Sequence, residues 1–104
     1  MAQVVWTESA LTNLAEIAGY IAQDSPAFAS AFVARIIEAV DRVALFPRLG
    51  RQVPEFGDES LREVVFQNYR IVYRIAGDRI GVVAVRHGAM LLPDDLGKQP
   101  WNLP

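Results

Sequence analysis

Two arginines, Arg70 and Arg74, lie four residues apart in the stretch LREVVFQNYRIVYRI, which spans residues 61–75. Alternate residues of a β-strand share one face, so the two guanidinium groups would project on the same side of a strand. Guanidinium groups bind carboxylates and phosphates through paired hydrogen bonds. The spacing therefore indicates either a site for an anionic partner or ordinary solvent-facing charges.

The sole histidine, His87, follows a β-like run in the segment VRHGA. Because histidine titrates near neutral pH, it could act as a general acid or base beside Arg70, which could hold a phosphate. The simpler interpretation is an ordinary histidine at the end of a strand. No second candidate base is evident nearby in the sequence.

Composition argues against metal and cofactor chemistry. The chain has no cysteine and one histidine, whereas zinc-type centres use several such side chains. Its glycines form no phosphate-binding loop. We therefore expect no metal ion and no cofactor.

The 104 residues are 52% apolar and 21% charged, values typical of one globular domain over residues 1–104. No apolar run reaches the roughly 18 residues that a membrane span needs, and the N-terminus lacks a secretory signal. The net charge of −2 argues against binding nucleic acid through bulk charge, although an acidic protein partner remains possible. We expect a cytoplasmic protein that does not bind membranes.

The N-terminal half predicts a strand followed by two helices. Residues 3–7 are β-branched and aromatic, as is typical of a strand. Apolar residues then recur at helical spacing up to residue 21, and again over 26–46 after a break at Ser25-Pro26. Since the break is short, the two helices should form an antiparallel hairpin.

The second half predicts a loop, three strands and an irregular tail. Residues 47–60 contain two prolines and two glycines without an apolar period, so they should form a loop. Three strands follow, joined by the two-residue turns Gln67-Asn68 and Gly77-Asp78. They span about residues 61–66, 69–75 and 79–86. Prolines in the segment 91–104 make it irregular.

Two-residue turns fix which side chains share a face of the sheet. Residue 65 would pair with 70 in the first hairpin, and in the second 72 would pair with 83 and 70 with 85. The face toward the helices would carry Val64, Phe66, Tyr69, Ile71, Tyr73, Ile75, Ile80, Val82 and Ala84. The outer face would carry Glu63, Val65, Arg70, Val72, Arg74, Gly81, Val83, Val85 and His87.

The predicted fold is α+β: an N-terminal strand and an antiparallel two-helix hairpin precede a three-stranded antiparallel meander, and one sheet packs on the helices. The outer face, which the helices cannot cover, would present arginines over a floor of valines. Such a face suits a partner segment. The alternative is a surface ion-pair ladder of Glu63 with Arg70 and Arg74, which would contribute under about 1 kcal/mol per pair.

After the strand and the helical hairpin, the order of the segments PRLGR, LREVV, YRIVYR and VRHGA resembles the RelE/ParE superfamily of bacterial toxins over residues 3–92. The opening VWTESALTNLAEIAGYIA is similar to that of ParE-type members. The resemblance implies the toxin half of a type II toxin–antitoxin pair, with two helices packed on an antiparallel sheet. It also implies an adjacent gene for a small DNA-binding antitoxin, whose flexible C-terminal segment wraps the toxin. Operator DNA would be contacted only through that antitoxin.

One activity implied by the resemblance is that of RelE-type members, which cut messenger RNA in the ribosome. They use strand arginines, a lysine cluster and a tyrosine or histidine near the C-terminus. Arg70 and His87 match such catalytic residues, with Arg74 in support, and the enzyme would be a metal-independent RNase. However, Met90 stands where an arginine is common, and the only lysine is Lys98. Since a nuclease needs cations to offset charge in its transition state, this set looks under-equipped.

The other implied activity is that of ParE-type members, which inhibit DNA gyrase by binding it, without known hydrolytic chemistry of their own. ParE-like gyrase inhibition is the leading expectation, and the ribosome-dependent RNase is the alternative. A third hypothesis is an attenuated toxin that acts only as a complex-forming binding module, since Met90 departs from the ParE-type pattern as well.

We expect the antitoxin or the target to contact a set of residues on the outer face and in the preceding loop. An apolar–acidic antitoxin tail would cross the Val72/Arg70/Arg74 face or add a strand to a sheet edge. The expected contact residues are Arg48, Arg51, Glu63, Arg70, Val72, Arg74, Val83, Val85 and His87.

Overall fold

The computed structural model describes residues 1–88 and Leu92. Its elements follow the predicted order, with one short strand and one 3-10 turn added inside the predicted loop. In chain order they are β1 (Gln3–Trp6), α1 (Glu8–Asp24), α2 (Pro26–Leu45), the 3-10 turn Pro47–Leu49, β2 (Arg51–Gln52), β3 (Leu61–Phe66), β4 (Tyr69–Ala76) and β5 (Arg79–His87).

Side-chain caps define where the two helices begin. The Thr7 hydroxyl accepts a hydrogen bond from the N–H of Ala10 at 3.2 Å, and the Ser25 hydroxyl accepts one from the N–H of Phe28 at 3.1 Å. Pro26 fits the first turn of α2 because its missing N–H would have had no partner there. Only Ser25 separates the helices, so the chain reverses at once and α1 packs against α2.

The five strands form one sheet in the order β1-β5-β4-β3-β2. The meander β3-β4-β5 is antiparallel, as predicted, whereas β1 joins its edge in parallel with β5. The prediction of an α+β fold is confirmed. The expectation that 47–60 is wholly a loop is wrong, because Arg51 and Gln52 form the short strand β2. These two residues pair with Glu63 and Arg62 of β3.

Both predicted two-residue turns are confirmed. Phe66 pairs with Tyr69 across the first turn, and Ala76 pairs with Arg79 across the second. These turns require residues with positive φ, which Gln67 (53°) and Gly77 (62°) supply.

A β-bulge in β5 changes the second hairpin. From the turn to Tyr73, which pairs with Val82, the strands keep one register. The next residue, Val72, pairs with Ala84 and not with Val83, so Val83 is the extra residue of the bulge. The predicted pairing of 72 with 83 and of 70 with 85 is therefore wrong. Beyond the bulge, the alternation of faces along β5 is inverted.

The inversion relocates three side chains. Ala84, predicted to face the helices, lies in the cluster on the opposite side of the sheet. Val85 pairs with Ile71, a residue of the helix-side core, and His87 pairs with Tyr69, whose ring contacts that core. The predicted outer-face positions of Val85 and His87 are therefore wrong.

Both faces of the sheet carry an apolar cluster. The helix-side cluster comprises Ala10, Leu14, Phe32, Ile36, Ala39, Val40, Ile71 and Val82. The outer cluster comprises Val53, Leu61, Val72, Val83, Ala84 and Leu92, with Phe56 packed against it. Val72 is 0% exposed and Val83 1%, so the expectation of an open valine floor is wrong. The chain covers this floor itself with residues 53–56 and Leu92, which removes apolar side chains from water.

The described residues include no helix that is both long and apolar enough to cross a membrane.

Candidate functional site

Arg70 lies at the centre of a partly buried ionic cluster. Its guanidinium donates two hydrogen bonds to the Glu55 carboxylate, Nη1 to Oε2 at 2.7 Å and Nη2 to Oε1 at 2.8 Å. On the other side, Nε donates to Glu63 Oε1 at 2.8 Å, and Nη2 also contacts that oxygen. The second Glu63 oxygen accepts bonds from Arg51, at 3.0 Å from Nε and 2.8 Å from Nη2. We call these four residues the Arg70 cluster.

Three strands and one loop hold the Arg70 cluster together. Arg51 and Glu63 are cross-strand partners of β2 and β3. Arg70 on β4 pairs with Val65, two pairs along from Glu63 and therefore on the same face of the sheet. Glu55 comes from the loop that covers the outer face. That loop is fixed by Val53, which is fully buried and donates its N–H to the Leu61 carbonyl at 3.1 Å.

The Arg70 cluster is balanced in charge, with two arginines against two glutamates. Hydrogen bonds from the Arg70 guanidinium lower the pKa of Glu55 to about 2, against the opposing effect of burial. The backbone N–H of Leu92 also bonds to this carboxylate and lowers its pKa further. The Glu55 and Glu63 carboxylates in turn raise the pKa of Arg70. Arg70 is therefore a fixed, neutralised cation with a side chain only 9% exposed.

Arg74 is held by the same covering loop. Its Nη1 donates to the Ser60 hydroxyl at 2.6 Å and contacts Asp58 Oδ2 at 3.4 Å. Asp58 also accepts bonds from the Ser60 hydroxyl and N–H, and these bonds lower the pKa of Asp58. The prediction that Arg70 and Arg74 project over a bare surface is therefore wrong. Both are enclosed by acids that the loop 53–60 supplies.

Arg70 and His87 nevertheless line one cavity of about 340 Å³ at the end of the sheet. His87 is exposed and lies edge-on to Tyr69, with ring centroids 5.6 Å apart. Arg51 and Val65 line the same cavity, and the Glu55 carboxylate accepts bonds from both Nη atoms of Arg70. The structure thus brings together Arg70 and His87, the residues predicted for catalysis, but the Arg70 guanidinium is hydrogen-bonded to carboxylates.

The hydroxyl of Tyr73 holds the PRLGR segment in place. The sequence predicted only that Tyr73 faces the helices. The buried Tyr73 hydroxyl donates to the Pro47 carbonyl at 2.6 Å and accepts the Gly50 N–H at 2.9 Å. Burial raises the pKa of this phenol. Gly50 has no room for a Cβ, which would lie 2.5 Å from the Glu63 carbonyl oxygen. The segment is thus fixed and holds Leu49 and Arg51 in place.

A second concave surface, between α2 and the outer edge of β3, was not predicted. One part, of about 360 Å³, is lined by Ala39, Arg42, Leu49, Gly50, Arg51, Glu63, Val64, Val65 and Phe66. The other, of about 580 Å³, is lined by Ile21, Phe28, Ala31, Phe32, Arg35, Phe66 and Gln67. The two parts meet at Phe66, and we call them together the α2–β3 groove. The exposed apolar side chains of Phe28, Leu49 and Val65, which line it, were the signal that could have indicated it.

The remaining predicted contact residues divide by burial. Arg48 and Arg51 are exposed, and Arg51 lines the α2–β3 groove, whereas Val72, Val83 and Val85 are each 0–1% exposed. Whether any of them binds a partner stays a prediction. Met90 and Lys98 lie outside the described residues, as does the segment 91–104 apart from Leu92.

Known proteins resemble this chain in sequence and in structure. A family model described as ParE toxin of type II toxin-antitoxin system, parDE, matches residues 4–92. Toxin RelE2 of Caulobacter vibrioides is 41% identical over 92 residues, which cover 88% of this chain and 100% of that protein. A solved chain of the chromosomal ParDE TA system from P. aeruginosa superimposes with a TM-score of 0.69 at 21% identity, covering 84% of this chain and 96% of that chain. At such identity the structural likeness shows a shared fold.

Proposed function

Because the chain belongs to the ParE toxin family of type II toxin–antitoxin systems, we propose that it acts by binding and inhibiting DNA gyrase. The toxin would carry out no hydrolysis of its own. A cognate antitoxin encoded by an adjacent gene would hold it inactive and would alone contact operator DNA. A gyrase target would place its action in the cytoplasm.

The observation that carries this proposal is the state of Arg70. A nuclease of the RelE type would use this arginine to hold the scissile phosphate and offset transition-state charge. Here both carboxylates of the Arg70 cluster occupy the guanidinium, and Glu63 is 0% exposed. Removing one partner of a buried ion pair typically costs about 3–5 kcal/mol. Turning Arg70 toward RNA would therefore oppose the stability of the fold.

A ribosome-dependent RNase is the second candidate, and one observation favours it. Arg51, Arg70 and His87 line a single open cavity, and His87 is exposed to it. A histidine side chain can act as a general acid or base. Arg51, whose side chain is 65% exposed, would then have to supply the cation that Arg70 cannot.

Two assays on the purified chain separate the candidates. Under the proposal, the protein inhibits gyrase supercoiling and leaves messenger RNA on translating ribosomes intact. If the wild-type chain cleaves messenger RNA, the variant His87→Ala does not, and supercoiling is unimpaired, gyrase inhibition is contradicted and the RNase is supported.

Growth tests address the third hypothesis, a complex-forming module without toxicity. Expression of the chain without its neighbour should stop growth, and co-expression of the neighbouring gene should restore it. Normal growth under unopposed expression, with the complex still forming, would contradict toxicity and leave binding as the remaining function.

A further inference from the structure

The chain exposes two neighbouring apolar side chains where α2 ends. Leu45 is 54% exposed, and Phe46, the C-terminal cap of the helix, is 66% exposed. Neither belongs to an apolar cluster within residues 1–88 and Leu92. Arg48, on the 3-10 turn that follows, is exposed as well. Exposed apolar neighbours rimmed by charge are typical of an interaction site. We call Leu45, Phe46 and Arg48 the Phe46 ridge.

The backbone of the Phe46 ridge is held in one conformation. The Phe46 N–H donates to the Arg42 carbonyl at 3.1 Å, and the Leu49 N–H donates to the Phe46 carbonyl at 2.8 Å. The Pro47 carbonyl accepts the Tyr73 hydroxyl at 2.6 Å. Because Phe46 precedes a proline, its own backbone has few alternatives. A surface that is ordered before binding loses little conformational entropy when a partner arrives.

The Phe46 ridge lies outside the concave surfaces described above. Its three side chains line neither the cavity beside His87 nor the α2–β3 groove. A flexible peptide segment binds in a groove or along a sheet edge. An exposed aromatic side chain contributes most to binding when a pocket of a folded partner encloses it and excludes water. The ridge therefore suits a folded protein that has an apolar pocket.

Arginines give the ridge a local positive charge. Arg42 precedes Leu45 by three residues, so the two side chains are neighbours on the α2 surface. Among the residues that the structure describes, Arg42 and Arg48 make no ion pair. Asp41 is the exposed acid of the same helical turn, and two arginines against one aspartate leave a net positive charge. Such a surface complements a pocket rimmed by carboxylates and repels a basic one.

We propose that the Phe46 ridge is the surface through which this toxin binds its gyrase target. Phe46 enters an apolar pocket of the enzyme, and Arg42 and Arg48 meet carboxylates at the rim of that pocket. The inference rests on the proposed function, because it assigns the contact surface for gyrase inhibition.

Two phenylalanines of similar exposure provide the test. Phe46 is 66% exposed, and Phe28, in the first turn of α2, is 72% exposed. The full-length variants Phe46→Ala and Phe28→Ala are titrated into a supercoiling assay with purified gyrase and relaxed plasmid, after circular dichroism has shown that each is folded. Because central aromatic contacts dominate binding, Phe46→Ala should raise the half-inhibiting concentration at least about tenfold, and Phe28→Ala should change it less than about twofold.

The charge component has its own readout. Arg48→Glu should raise the half-inhibiting concentration and reduce its dependence on salt, because one screened attraction becomes a repulsion. Arg35→Glu is the control on the same helix. Its side chain is 63% exposed and lies outside the ridge, so this variant should inhibit gyrase like the wild type.

The outcomes separate the ridge from the proposed function. Wild-type inhibition by Phe46→Ala, or equal losses in the two phenylalanine variants, would overturn the ridge as the contact and leave gyrase inhibition intact. If Phe46→Ala inhibits gyrase normally but no longer binds the protein encoded by the adjacent reading frame, the ridge serves the antitoxin and the inference is overturned. If the wild-type chain does not inhibit supercoiling, the proposed function fails and the assigned partner fails with it.

Discussion

Removing the Arg70 guanidinium tests whether this arginine is a structural element. In Arg70→Met the aliphatic volume is kept, but Glu63, with a side chain 0% exposed, loses both donors at one carboxylate oxygen, and Glu55 loses its bidentate partner. Removing one partner of a buried ion pair typically costs about 3–5 kcal/mol, and the two bonds that Arg51 still donates to Glu63 favour the lower end of that range. For a chain of this size, at roughly 4 °C per kcal/mol, the melting temperature should fall by about 12–20 °C.

Arg74→Met is the matched control on the same strand. Arg74 meets Asp58 at 3.4 Å, and the Asp58 side chain is 42% exposed, so water can replace the lost partner. Its loss should cost about 1 kcal/mol or less. Urea unfolding followed by circular dichroism, analysed at constant m-value, measures both variants.

Comparing the stability lost in Arg70→Met with that lost in Arg74→Met tests whether Arg70 has a structural role. If Arg70→Met is destabilised no more than Arg74→Met, the Arg70 cluster does not hold the fold together. The arginine would then be free for chemistry, and the reasoning against a nuclease would lose its foundation.

Two further predictions concern the covering loop and the PRLGR segment. Glu55→Gln should be less stable than wild type near neutral pH, and the difference should shrink as pH falls from about 5 toward about 2. The depressed pKa of Glu55 stabilises the fold only while that carboxylate is ionised; a pH-independent difference would contradict this role. Gly50→Ala should destabilise by about 1–3 kcal/mol, because the added methyl meets the Glu63 carbonyl and the Tyr73 hydroxyl. In urea unfolding Gly19→Ala, where nothing lies within 4 Å, should instead stabilise α1 by about 0.5–1 kcal/mol, and equal effects would refute the packing argument.

The elements of this fold could be predicted because their signals are local. Ser25-Pro26 starts α2 through a cap and a preset φ, and the Gly77-Asp78 turn needs only its own two residues. The first hairpin register followed from such a turn. The bulge at Val83 could not be predicted, because the run Val82–Val85 is apolar throughout. Either alternation would have satisfied the sequence pattern there.

Some residues of the candidate site could be predicted from the sequence, but the side chains that surround them could not. Arg70 and His87 do line one cavity, yet Glu55 and Asp58 looked like ordinary loop acids. Their pairing with Arg70 and Arg74 depends on where the loop 53–60 folds back, which is a tertiary contact without a periodic signal. The same holds for the Tyr73 hydroxyl, whose partners are 26 and 23 residues away in sequence.

The parallel pairing of β1 with β5 has a consequence for the order of assembly. The bond from the Thr7 hydroxyl to the Val82 carbonyl joins residues 75 positions apart, whereas Arg70 and Glu55 are separated by only 15. Closing the longer loop costs about 1.4 kcal/mol more in chain entropy. β1 leaves the ribosome before β5 and must therefore wait for it, because the edge of the sheet that β1 joins does not exist until β5 has formed.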